Sequence, residues 1–100
     1  MTARLSLDPE ALAALCRRHH IRRLSLFGSV LKGTDRPDSD VDFLVEFVRE
    51  SEPGLLGLAT IEMEFSKLLG DRRVDLRTPQ DLSKHFRSQV LRTALVQYAA

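Results

Sequence analysis

Acidic residues are concentrated in a short stretch near the middle of the chain, Asp38-Ser39-Asp40-Val41-Asp42. Asp40 and Asp42 are two positions apart, and on a strand such residues project from one face with backbones roughly 6–7 Å apart. Two carboxylates held this close repel each other, and a divalent cation between them removes the repulsion. Oxygen ligands of this kind suit Mg²⁺ or Mn²⁺, so the pair predicts a metal site.

A Gly-Ser pair, Gly28-Ser29, lies upstream, with Gly28 twelve positions before Asp40. Gly28 has no side chain, so the backbone can approach a ligand closely, and its N–H groups with the Ser29 hydroxyl can hydrogen-bond phosphate. If the two stretches end adjoining strands, the phosphate cradle and the carboxylates face each other. Phosphoryl transfer needs this arrangement, in which metal ions bridge phosphate oxygens and the protein does little covalent chemistry.

Asp75 is the candidate for a third carboxylate, which two-metal chemistry usually requires to bind the metal that activates the acceptor hydroxyl. It lies in Val74-Asp75-Leu76, a predicted strand whose apolar residues point the other way. If that strand pairs beside the one that carries Asp42, Asp75 joins Asp40 and Asp42. Lys32 and Ser39 are further candidates for contacts to the nucleotide, Lys32 as a point charge for phosphate.

The elements that must position these residues alternate between helix and strand. Strands are predicted over 21–27, 40–47 and 74–77. Helical segments are predicted around them: one after Asp8-Pro9, a turn at 30–32, one with a Leu58, Ile61, Phe65 and Leu68 stripe, and a last region from Thr78 that bends near Ser83 and includes Leu95 and Tyr98. The order α-β-α-β-α-β-α predicts one α/β domain over 1–100, with a small mixed sheet flanked by helices.

Composition excludes several classes of protein. A chain of 100 residues with 43% hydrophobic and 29% charged residues is typical of one globular domain. The net charge of +1 gives no general attraction to nucleic acid or membrane. No apolar run approaches the ~20 residues that span a bilayer, and no signal-peptide pattern begins the chain, so we expect a cytoplasmic protein. Cys16 is the single cysteine, which excludes an intrachain disulfide and indicates a small core residue.

A cluster of basic residues follows the first predicted helix: Arg17, Arg18, His19, His20, Arg22 and Arg23. Such a cluster could bind RNA, but it lacks the interleaved aromatic residues of many nucleic-acid sites. We therefore favour a solvated helix end, where positive charge also suits the helix dipole. The histidines have no third metal ligand nearby in the sequence and are expected to be structural.

The spacing of Gly28-Ser29, ten residues, then Asp40-Val41-Asp42 resembles the signature of the DNA polymerase β-like nucleotidyltransferase superfamily. From about Leu7 to Tyr98 the chain is similar to its shortest branch, the minimal nucleotidyltransferases of the MntA type. The resemblance implies the polymerase-β-like fold. It also implies that Gly28 and Ser29 hold the triphosphate of ATP, and that the acidic residues Asp40, Asp42 and Asp75 bind two Mg²⁺ ions.

The resemblance further implies a partner. Such proteins are commonly encoded beside a HEPN-domain ribonuclease, and they act as antitoxins that transfer AMP from ATP to a tyrosine of that toxin. Two alternatives remain. Family members often carry arginine where this chain has Val30 and Lys32, so a non-catalytic antitoxin could neutralise the ribonuclease by complex formation alone. A small-molecule nucleotidyltransferase is the third reading, with its acceptor pocket completed by a homodimer.

Overall fold

A computed structural model describes residues 8–28 and 40–100, and within them a four-stranded sheet has helices on both faces. The elements in chain order are α1 (Pro9–Arg18), β1 (Ile21–Phe27), β2 (Val41–Phe47), α2 (Leu55–Leu68), β3 (Val74–Arg77), a 3-10 turn (Pro79–Asp81), α3 (Lys84–Thr93) and β4 (Leu95–Ala99). The turn predicted at 30–32 and the candidate ligands Ser29, Lys32 and Ser39 lie outside the described residues.

The strands are arranged in the order β3-β2-β1-β4. β1 pairs with β2 and with β4 in antiparallel fashion, whereas β2 and β3 are parallel. The predicted mixed sheet is therefore confirmed. Parallel neighbours need a crossover connection, and α2 supplies it between β2 and β3.

One face of the sheet carries the main hydrophobic core against α1 and α2. The predicted stripe of α2 is confirmed, with Ile61 and Phe65 buried, and the ring of Phe65 lies 5.6 Å from that of Phe43. Cys16 is fully buried, as expected for a core residue. The buried members of this core are Leu12, Leu15, Cys16, Ile21, Leu24, Leu26, Val41, Phe43, Val45, Phe47, Ile61, Phe65, Val74 and Leu76.

The opposite face carries a smaller apolar cluster beneath α3. Its buried members are Phe27, Leu44, Leu82 and Val90, with Ala94 packed beside them. Side chains alternate along a strand, so the residues between the core positions of β2 and β3 point to this second face. Asp42 and Asp75 are such residues, and the candidate site therefore lies on the α3 side of the sheet.

The end of the chain corrects one prediction. Residues 95–99 form strand β4, not a continuation of the last helix. Leu95 and Tyr98 occur at a spacing that fits a helix, but the free edge of β1 offers backbone partners that a helix would leave unpaired. Leu26 pairs with Leu95 and Leu24 with Tyr98, and Tyr98 packs against the main core.

The predicted helix starts are confirmed by capping contacts. Asp8 accepts a hydrogen bond from the Glu10 N–H at 3.0 Å, and Pro9 occupies the first turn. Thr78 forms a capping box with Asp81 at the 3-10 turn, and Ser83 Oγ accepts from the Phe86 N–H to begin α3. The predicted bend near Ser83 is thus a break between the 3-10 turn and α3.

Four members of the basic cluster lie beside acidic residues of neighbouring elements. His19 Nε2 lies 2.7 Å from Glu64 Oε1 of α2, and Arg18 contacts the same oxygen. On the sheet, the guanidinium groups of Arg22 and Arg23 lie 3.0 and 3.3 Å from the carboxylate of Glu46. These contacts favour the structural reading of the cluster.

None of the helices within 8–28 and 40–100 has the length and apolar character needed to cross a bilayer.

The outer edge of β3 is held by a side chain of α2. The Leu76 N–H donates to Glu62 Oε2 at 2.8 Å in a partly buried contact. We expect Glu62→Ala to lower the free energy of unfolding by about 1–2 kcal/mol, because a hydrogen bond to a charged group is lost at a strand edge. Urea unfolding measures this. Glu62→Gln keeps an acceptor and should lose less; equal losses in both variants would contradict the role of this bond.

Candidate active site

Asp42 and Asp75 lie side by side at adjacent positions of the parallel strands β2 and β3. The parallel register pairs their Cα atoms directly, and both side chains are half-buried on the face opposite the main core. Asp40 directly precedes β2 and is also partly exposed. The sequence expectation that Asp75 would join the Asp40–Asp42 pair depended on this strand pairing, which is present.

The electrostatics of Asp42 reflect this crowding. Burial raises the pKa of the Asp42 carboxyl above its ordinary value, and the negative charges of Asp75 and then Asp40 raise it further, opposed by Arg77. A raised pKa means that the ionised carboxylate is destabilised where it stands. A divalent cation among these carboxylates would remove that cost. The all-oxygen set is of the type that Mg²⁺ and Mn²⁺ prefer, so the residues fit the predicted metal.

Two arginines partly neutralise the acidic group. Both Nε and a terminal nitrogen of Arg77 lie 3.1 Å from Asp75 Oδ2. Arg73 Nε lies 3.8 Å from Asp40 Oδ1 in a contact whose arginine is 81% exposed, so it contributes little. As placed, the acidic, histidine and cysteine side chains of 8–28 and 40–100 include no group of three gathered closely enough to hold a metal ion.

Gly28 brings the backbone directly against Asp42. Its φ is +82°, a conformation that favours glycine, and a Cβ built on it would lie 2.3 Å from Asp42 Oδ2. Gly28 follows β1, and its neighbour Phe27 pairs with Asp42 across the sheet. The approach of the Gly28 backbone to a phosphate stays a prediction; among the described residues, its close neighbour is the Asp42 side chain.

A cleft of about 400 Å³ opens beside these residues, between the strand ends and α3. This volume is within the range of small-molecule sites. Asp42, Asp75 and Arg77 line one part of the cleft, and α3 lines another. The full set of lining residues is Phe27, Gly28, Asp42, Asp75, Arg77, Asp81, Leu82, Ser83, Phe86, Gln89, Val90 and Thr93.

Several of these lining residues were not candidates on sequence grounds. Arg77 is two positions after Asp75 on a strand, so strand alternation could have placed it on the same face. Phe86 and Val90 are four positions apart, a spacing typical of one packed helix face, yet only Val90 is buried and Phe86 is 45% exposed. Gln89 and Thr93 lie one turn apart on the same helix. Helical spacing groups such residues but does not say what they face.

Comparison with known proteins agrees with this architecture. The model of the nucleotidyltransferase domain family matches residues 9–96. Protein adenylyltransferase MntA of Thermococcus cleftensis is 40% identical over 78 residues, which cover 78% of this chain and 76% of that protein. A solved minimal nucleotidyltransferase is 41% identical with a TM-score of 0.72, covering 87% of this chain and 86% of its own. A toxin–antitoxin crystal structure with AMP-PNP, 22% identical, has the same fold with a TM-score of 0.74, covering 94% of this chain and 75% of its own.

Proposed function

We propose, from the premise that this chain belongs to the family of nucleotidyltransferase domains, that it transfers AMP from ATP to a hydroxyl group of a partner protein. The observation that carries the proposal is the adjacent placement of Asp42 and Asp75 beside the Gly28 backbone in one cleft. Family membership supports the reaction class. The name of the 40% identical relative, a protein adenylyltransferase, supports a protein as acceptor.

Each candidate residue has a role in this reaction. We assign Asp40, Asp42 and Asp75 to the binding of two Mg²⁺ ions, with Mn²⁺ as a substitute. When bound, Mg²⁺ supplies positive charge to the triphosphate and to the departing pyrophosphate and makes the acceptor hydroxyl more acidic. The triphosphate is assigned to the Gly28 backbone together with Ser29, Lys32 and Ser39.

The transfer itself is a substitution at phosphorus. The acceptor oxygen forms a bond to the α-phosphorus, the bond from that phosphorus to the oxygen bridging to the β-phosphate breaks, and pyrophosphate leaves. The hydroxyl proton passes to Asp75 and then to solvent, since Asp75 lines the cleft and is partly exposed. Arg77, 3.1 Å from Asp75, is a neighbouring cation for the developing negative charge.

The acceptor is proposed to be a tyrosine of a HEPN-domain toxin, which AMP transfer would silence, so that this chain acts as an antitoxin. The fold is shared with a protein of a toxin–antitoxin pair that was crystallised with AMP-PNP.

A transfer assay tests this proposal. The purified protein is incubated with α-labelled ATP, Mg²⁺ and the protein encoded by the neighbouring gene, and label is then followed on each chain. We expect the partner to be labelled, and peptide mapping to locate the label on tyrosine. If ATP binds but no label appears, and the toxin is still inhibited, the chain is a non-catalytic antitoxin that acts by complex formation.

A further inference from the structure

Among the α3 side chains that line the cleft, Phe86 and Gln89 have no role in the transfer step. We propose that these residues form the base-binding half of the nucleotide site and select adenine. The ring of Phe86 stacks on the base, and the carboxamide of Gln89 pairs with its amino edge. This inference rests on the proposed function and adds the means by which the site chooses its nucleotide.

The distribution of charge along the cleft supports a nucleotide that lies lengthwise in it. The charged lining residues are Asp42, Asp75 and Arg77 on the strands, where phosphates and metal are expected, and Asp81 in the 3-10 turn. Asp81 Oδ2 accepts hydrogen bonds from the N–H and the hydroxyl of Thr78. The α3 part is built from an aromatic ring, an aliphatic floor and uncharged polar groups, with Leu82 and Val90 buried beneath it. A nucleoside triphosphate has the same division, with an uncharged base at one end and charged phosphates at the other.

Phe86 is placed to stack on a base. It is 45% exposed although it belongs to an amphipathic helix whose Val90 is buried, so much of its ring remains uncovered by protein. Phe86 and Gln89 are three positions apart and therefore lie on one side of α3. Stacking of a base on an aromatic ring is tolerant of base identity, because every base has a π-face.

Gln89 carries the hydrogen-bonding groups that distinguish one base from another. Among residues 8–28 and 40–100, its carboxamide has no hydrogen-bond partner, whereas the neighbouring hydroxyls are engaged. Ser83 Oγ accepts from the Phe86 N–H at 3.3 Å, and Thr93 Oγ1 donates to the Gln89 carbonyl at 2.8 Å.

An amide offers a donor and an acceptor side by side, which matches the N7 acceptor and N6 donor of adenine. Guanine presents two acceptors, N7 and O6, at the same edge, so one of the two contacts becomes repulsive. A tyrosine acceptor must place its only polar group at the carboxylates, so its ring would leave the exposed Gln89 carboxamide bonded to water alone. The uncharged end of the cleft therefore suits adenine better than an acceptor side chain.

The test measures nucleotide binding, not transfer. Isothermal titration calorimetry with Mg²⁺ and non-hydrolysable analogues of ATP and GTP is applied to the wild type and to Gln89→Met, which keeps the length of the side chain but removes its hydrogen bonds. We expect the preference for the ATP analogue to fall by about ten- to a hundredfold, the range for one bidentate amide–adenine pair. Gln97→Met on β4, outside the cleft lining, is the matched control and should retain the wild-type preference.

Phe86→Leu gives a second, different signature. It should weaken both analogues together by about five- to tenfold and leave their ratio unchanged, because stacking does not distinguish the bases. If the wild type prefers the ATP analogue and Gln89→Met keeps that preference, the inference is wrong while the proposed function stands. If the wild type binds neither analogue, the proposed function fails and the inference fails with it.

Discussion

Replacing Asp42 by asparagine is expected to reduce AMP transfer by about a thousandfold or more while the protein stays folded. Asparagine keeps the shape of the side chain but removes the charge that faces Asp75 across the parallel strands. A neutral amide binds a divalent cation weakly and cannot offset the charge of the triphosphate. The measurement is the rate of label transfer from α-labelled ATP. Asp71→Asn, at an exposed turn with φ of +67°, is the control, since asparagine tolerates that conformation.

Stability separates loss of chemistry from loss of fold in this variant. The pKa of Asp42 is raised by burial and by Asp75 and Asp40, so its ionised form destabilises the folded protein. That penalty is absent below the ordinary aspartate pKa and fully present above the raised one. With a chelator present at pH 7, we therefore expect Asp42→Asn to melt at or above the wild-type temperature. The difference should shrink as the pH falls below the raised Asp42 pKa and vanish below the ordinary aspartate pKa. A lower melting temperature at pH 7 would make Asp42 a structural residue.

Gly28→Ala is expected to produce the second large loss of transfer, of about a hundredfold or more, because a misplaced catalytic group is costly. Its new Cβ would lie 2.3 Å from Asp42 Oδ2 and 3.2 Å from Asp42 Cβ. The atom that is met first is the end of a side chain, which can rotate. The Asp42 carboxylate must therefore leave the position it holds beside Asp75.

Gly70→Ala provides a matched control for this effect. Gly70 has φ of +73°, close to the +82° of Gly28, but nothing lies within 4 Å of a Cβ built on it. Both substitutions carry the backbone strain of a left-handed conformation, about 1–3 kcal/mol. Only Gly28→Ala also displaces Asp42. We expect similar losses of stability by urea unfolding and a loss of transfer in Gly28→Ala alone; equal activity in both variants would show that the clash is relieved elsewhere.

The meeting of Asp42 and Asp75 could be predicted from the sequence because it depends on strand alternation. Each aspartate stands between buried apolar residues, so each must point away from the main core. The remaining requirement was that β2 and β3 be neighbours, and the helix between them allows the parallel pairing that is found. Strand alternation also places Arg77 on the face of Asp75, although the sequence motifs did not single out Arg77 as a site residue.

Strand β4 and the lining of the cleft by α3 depend on contacts that local spacing does not contain. Leu95 and Tyr98 fit a helical stripe as well as a strand, and the free edge of β1 decides between them. The exposure of Phe86 follows from the placement of α3 over a small apolar cluster, where only Val90 is buried. Periodicity groups residues on a face, but tertiary packing determines whether that face meets the core or a cleft.

The crossover between β2 and β3 couples the site to folding of the chain. Asp42 and Asp75 are 33 positions apart in the sequence and become neighbours only when α2 has docked and β3 has paired. In the unfolded chain, Asp40 and Asp42 remain close together but Asp75 does not join them. A cation held by all three therefore binds the native state in preference to the unfolded one and raises the free energy of unfolding by mass action. If the three carboxylates hold Mg²⁺ as proposed, binding of the ion and completion of the β2–α2–β3 unit are two linked equilibria.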